Sequence, residues 1–169
     1  KPKGYLSLEL ELVSNNAPTA SLLIVNTHLS IGLGNKRRIH QVRELKREVF
    51  AKSHHGRVTT ILCGDKNADH AEPEMHYLRN RGFIDSYLQF YEGNLDLAPK
   101  NGATWDNENP LTKGFLVEPN QRLDYIFLKP AVTSSGSQYE CKVLNSSLRM
   151  NEAPFLSDHF AVMTTLGFN

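Results

Sequence analysis

Cysteine is nearly absent. The chain holds two, Cys63 in an apolar run and Cys141 in a short alternating one, so neither a disulfide framework nor a cysteine-built zinc site is suggested. Long apolar runs are missing too. No stretch approaches the roughly 18 consecutive apolar residues of a membrane span, and no charged-then-apolar signal region opens the chain, so a soluble protein is expected, its compartment open. An excess of one charge is also lacking. Nineteen Lys and Arg against 18 Asp and Glu leave a formal net charge of +1, which argues against a broadly cationic nucleic-acid binder. Lys36-Arg37-Arg38 is the only basic concentration, and it reads more readily as a solvated helix start than as a phosphate-binding patch. Internal repeats and low-complexity tracts do not occur. What remains, 169 residues with 40% hydrophobic and 22% charged, is the mixture of one globular domain. Because Lys1 stands directly before a well-patterned strand, a fragment of a longer protein is expected.

Apolar patterning supplies the elements. Residues 5–13 alternate, with Leu6, Leu8, Leu10 and Leu12 on one face, and predict a half-buried strand. Turn residues follow, and then 20–26 is almost continuously apolar, which predicts a central strand joined by a hairpin. Ile39, Val42, Leu45, Val49 and Phe50 recur at helical spacing and predict a helix over 37–52. A second apolar run, 58–63, completes a strand–helix–strand crossover whose strands should be parallel neighbours or near neighbours. A short helix over 74–81, ended by Gly82, and strands over 122–128, 139–144 and 160–166 complete the list. Residues 93–119 show little periodicity, and a loop of that length is usually functional. The six strands are expected to form one mixed sheet.

Polar clusters sit at the ends of three apolar strands: Asn26-Thr27-His28, Gly64-Asp65-Lys66-Asn67 and Ser157-Asp158-His159. Parallel strands at 20–26 and 58–63 bring His28 and Asp65 to one C-terminal rim, where α/β proteins place ligands, and an antiparallel final strand adds Asp158 and His159. Carboxylates, an amide and imidazoles are what phosphodiester hydrolysis needs: oxygen ligands for Mg²⁺ or Mn²⁺ and a base for water. Asp124 places a further carboxylate in an apolar strand, and a buried carboxylate wants a partner such as an imidazole.

Asn26-Thr27-His28-Leu29, Arg38 with Gln41, Gly64-Asp65-Lys66-Asn67, Gly102-Ala103-Thr104-Trp105, Arg122-Leu123-Asp124-Tyr125-Ile126-Phe127 and Ser157-Asp158-His159 resemble, in order, the motifs of the endonuclease/exonuclease/phosphatase superfamily, the fold of deoxyribonuclease I and neutral sphingomyelinases. The resemblance covers nearly the whole chain. It implies an α/β fold with a mixed β-sheet and flanking helices, part of a four-layer sandwich, of which residues 1–169 are the C-terminal portion of one domain. It also implies a metal-dependent phosphodiester hydrolase, with His28, Asp65, Asn67, Asp124 and His159 catalytic and Asp158, Asp65 and Asn67 at the metal, Mg²⁺ or Mn²⁺. Thr104, Trp105 and Arg38 are the implied substrate contacts, although Trp105 reads equally well as core packing. The implied substrate is a nucleic-acid or phospholipid phosphodiester, and the implied partner is a missing N-terminal half that brings a metal-binding Glu. The rival reading is a non-catalytic half-domain acting as a binding or scaffold module. One departure stands out: the residue between Asp65 and Asn67 is usually apolar in that family and is Lys66 here, which either packs its stem or adds charge beside the phosphate.

Overall fold

The structure is a computed structural model and describes residues 3–14, 17–32, 36–50, 58–112, 119–132 and 141–168. Strand β1 (Tyr5–Ser14) pairs antiparallel with β2 (Ala17–Thr27), and β2 pairs parallel with β3 (Thr59–Asp65). The crossover carries α1 (Lys36–Leu45) and a π-helical turn over Lys46–Phe50, so the expected helix is present as far as it is described, residues 51 and 52 lying outside. Next come α2 (Pro73–Arg79), the two-residue strand β4 (Ile84–Asp85) and α3 (Ser86–Phe90). The last strands are β5 (Asp124–Lys129), β6 (Cys141–Arg149) and β7 (Ala161–Phe168). The mixed α/β class read from the sequence is thus the class observed.

The single six-stranded sheet is not. Among the described residues five strands form a mixed sheet in the order β1-β2-β3-β5-β4, and β6 pairs with β7 in a separate two-stranded sheet. The physical reason lies at the far edge of β5. There β4 occupies the ladder through Ile84 opposite Leu128 and Asp85 opposite Phe127, so the last two strands pair with each other. A two-residue strand carries no period to read, and neither β4 nor α3 was expected from the sequence. Part of the strand expected over 139–144, residues 139 and 140, lies outside the described residues, as do the tip of the first hairpin and positions 113–118 of the long loop.

Burial explains the layering. Leu23, Val25, Leu62, Tyr125 and Phe127 project from one sheet face and pack with Val42, Leu45, Val49, Met75 and Leu78 of the helical layer. A smaller core joins Tyr87 of α3 to Leu148 and Phe160 on the β6–β7 side. The Ser86 hydroxyl, 2.7 Å from the Ile126 carbonyl and 2.9 Å from the Thr164 hydroxyl, links the two sheets. On β1 the outward residues Leu6, Leu8 and Leu10 remain exposed, at 74, 55 and 39%. No helix among the described residues is long and apolar enough to cross a membrane.

Candidate active site

The parallel pairing of β2 with β3 carries His28 and Asp65 to the same rim, and the antiparallel register of β3 with β5 sets Asp65 opposite Asp124. Gly64 makes this approach possible. Its φ is +107°, and a Cβ there would overlap the Thr27 carbonyl oxygen and the Asn26 side chain, so only glycine lets the end of β2 come this close. The chain then turns sharply: the Leu29 amide donates to the Asp65 carbonyl at 2.9 Å, and the Lys66 amide to the Leu123 carbonyl at 2.8 Å.

His159 reaches the rim by an unexpected route. The final strand is not in the main sheet; instead His159 bridges antiparallel to Trp105, and the Phe160 amide donates to the Thr104 carbonyl at 2.8 Å. Two contacts join the expected residues in pairs, with Trp105 carrying His159 toward β5. Nδ1 of His159 lies 2.7 Å from Oδ2 of Asp124, and Nε2 of His28 lies 3.3 Å from Oδ2 of Asp65. Asp65 also accepts from the Asn67 amide at 2.7 Å and from its side-chain nitrogen at 3.3 Å, while that nitrogen donates to the Leu29 carbonyl at 3.0 Å. Asn67 holds φ +46°, a left-handed value that asparagine tolerates better than most residues.

The charges tune one another. Hydrogen bonding to Asp124 raises the His159 pKa above the usual imidazole value against an opposing desolvation, with Asp124, Asp65 and Asp158 adding attraction. Burial pushes the Asp65 carboxyl up; the Asn67 amide opposes it, and the nearby Asp124 charge adds to it. With Oδ2 of Asp124 as the acceptor, Nδ1 of His159 carries the hydrogen and Nε2 is left to act as base.

The donor set suits a hard cation. Asp65, Asp124 and His159 bring one potential ligand atom each within 4.8 Å of one another, and the carboxylate oxygens of Asp65 and Asp124 are what Mg²⁺ and Mn²⁺ prefer, while His159 stands beside them as the base. Of the three expected ligands, Asp65 belongs to this trio and Asn67 is bonded to it. Asp158 is exposed and stands outside the trio, near enough to favour the charged form of His159.

Three expected substrate contacts have other employment. Arg38 is buried, ion-paired with Glu74 and, at 3.1 Å, with Glu72, and donates to the Gly32 carbonyl at 3.2 Å. Thr104 is fully buried, and its hydroxyl accepts from the amides of Leu123 and Asp124 at 3.0 and 3.1 Å, which fixes Asp124. Trp105 is 7% exposed and packs its ring edge-on to the His159 imidazole, centroids 5.3 Å apart. That placement fits the core-packing reading of Trp105 and sets its ring beside the site.

Asn109, which no motif marks, supports the site from the long loop. Its side-chain nitrogen donates to the Ser157 carbonyl at 2.9 Å and so anchors the segment that carries His159. The Asp106, Asn109, Thr112 spacing was the available signal, since these turn formers cap one another: Asp106 accepts from the Glu108 amide, and the Thr112 hydroxyl donates to the Asn109 carbonyl. Gln41 is the second support, bonding both the amide and the hydroxyl of Ser30 at 3.0 Å, two residues past His28.

The model of the Endonuclease/Exonuclease/phosphatase family matches residues 13–159. No curated protein matches the chain. Solved structures share its fold: the human Nocturnin catalytic domain with bound sulfate (TM-score 0.70, 19% identity, 99% of this chain and 53% of that one) and D. rerio TDP2 complexed with single-strand DNA product (0.68, 19%, 96% and 62%). A third is the Bacteroides thetaiotaomicron mannosyl-6-phosphatase (0.58, 23%, 88% and 52%). The chain thus spans between about half and under two thirds of the length of each.

Proposed function

The chain belongs to the Endonuclease/Exonuclease/phosphatase family, and from that membership we propose that it carries the greater part of the active site of a Mg²⁺- or Mn²⁺-dependent phosphodiester hydrolase. The observation that supports this best is the trio of Asp65, Asp124 and His159 at one rim. When bound, a divalent cation supplies polarisation of the phosphoryl oxygen and a lowered pKa for water. Nε2 of His159 takes the proton from the attacking water, and Asp124 stabilises the imidazolium that results. Asp65 and Asn67 orient each other at the phosphate and metal side, with Asp158 adding negative charge there. His28, exposed beside Asp65, faces the leaving group and stabilises its developing charge.

The substrate is a nucleic-acid or phospholipid phosphodiester. A formal net charge of +1 offers no broad cationic surface to a polyanion, which weighs toward the smaller headgroup. The solved structure that holds a single-strand DNA product keeps the nucleic-acid class open to test. The exposed Leu6, Leu8 and Leu10 face supports completion of this domain by an upstream segment of the same fold, because so much apolar surface is costly bare. The same bare face is what a non-catalytic half-domain would present if nothing completes it. Turnover of single-stranded DNA, sphingomyelin vesicles and inositol phosphates by the full-length protein, with Mg²⁺ and with EDTA, tests both readings. Metal-dependent release from one class supports the hydrolase, and no turnover of any supports the scaffold.

A further inference from the structure

Lys66 stands between Asp65 and Asn67 and is completely buried. Removing an ammonium from water is costly, and the partners it finds are not carboxylates but backbone carbonyls: Cys63 at 2.6 Å and, more loosely, Thr27 at 3.5 Å. Those carbonyls belong to the ends of β3 and β2. The Lys66 amide in turn donates to the Leu123 carbonyl at 2.8 Å. Through its side chain and main chain, one residue therefore touches Thr27, immediately before His28; Cys63, two before Asp65; and Leu123, immediately before Asp124.

We propose that Lys66 is a positioning residue whose buried ammonium and backbone amide tie together the three strand ends that present His28, Asp65 and Asp124. The proposal rests on the hydrolase reading given above. Stability alone does not account for a lysine here: an unbranched apolar side chain would fill the same space without the desolvation, and replacing buried charge by packed apolar groups is often neutral or stabilising. Gly64 brings the Thr27 carbonyl near this segment by close packing; the ammonium then fixes the spacing. Small displacements of reacting groups are expensive in rate, so a tie of this kind acts on kcat rather than on substrate affinity.

The test is Lys66→Met in the full-length protein, with bis-p-nitrophenyl phosphate as probe and with the lysine ammonium and histidine ring nitrogens followed by ¹⁵N NMR. The expected result is unchanged or higher thermal stability, kcat lower by about tenfold, and KM within about twofold. The wild type should show one lysine ammonium resonance protected from solvent exchange, absent in the variant, and the His28 ring resonances should move. Wild-type kcat in Lys66→Met, failure of that variant to fold, or no protected ammonium in the wild type would each overturn the proposal, the second by making Lys66 a structural residue. If the wild type hydrolyses no phosphoester at all, the hydrolase reading fails instead, while the resonances still report whether the tie exists.

Discussion

Oδ2 of Asp124 and Nδ1 of His159 lie 2.7 Å apart, each side chain about a quarter exposed. A carboxylate held there fixes both the tautomer and the ring orientation of the imidazole. Asp124→Asn presents an amide NH₂ to the ring and favours the opposite tautomer, so kcat should fall about 10²-fold or more with little change in melting temperature. Steady-state kinetics beside a thermal melt checks it; full activity in the variant would remove the pair from the chemistry.

The same contact sets a pH dependence. The His159 pKa is raised in the fold, first by its hydrogen bond to Asp124, so the folded state binds the proton more tightly than the unfolded state. The stability this contributes is complete below the ordinary imidazole value of about 6.5 and is lost as pH rises through the higher folded value. In metal-free urea titrations the gap between wild type and His159→Ala should be larger at pH 5 than at pH 9. A gap that widens with rising pH would reverse the assigned sign.

Thr104→Val keeps shape and removes the oxygen that accepts from the amides of Leu123 and Asp124. Leaving buried donors without a partner costs about 1–3 kcal/mol, and Asp124 loses its support, so both stability and kcat should fall. Denaturant titration and turnover on the same preparation read the two effects. A direct substrate role would lower affinity for substrate without touching stability.

Gly64→Ala meets two obstacles, a φ of +107° and the Thr27 carbonyl oxygen where its methyl would sit. Strain and overlap together should cost more than about 3 kcal/mol. Expression and circular dichroism of the variant test this, and a stable, folded Gly64→Ala would show that β2 and β3 are further apart at the rim.

Much of this was legible in the residues because the strongest signals are local. Alternation in 5–13 and the apolar runs near 20–26 and 58–63 gave β1, β2 and β3 and the parallel pairing that unites His28 with Asp65. The split of β6 and β7 from the main sheet was not legible, because it depends on the two-residue β4 filling the edge of β5. Nor were the buried roles of Arg38 and Thr104, since a motif names a residue but not the direction of its side chain. Arg38 turns inward because Glu74 is fully buried and needs a cation. Asn109 lay in a stretch without periodicity, where only capping geometry reveals order.

We propose above that Asp65, Asp124 and His159 form a metal-dependent hydrolytic site. Hydrolysis of bis-p-nitrophenyl phosphate by the full-length protein, measured in Mg²⁺, after EDTA and after Mg²⁺ is restored, and repeated with His159→Ala, tests it most directly. The expected activity disappears with EDTA, returns with the cation, and is lower by about 10²-fold or more in the variant whose fold is intact. Hydrolysis indifferent to EDTA, or undiminished in His159→Ala, would contradict it.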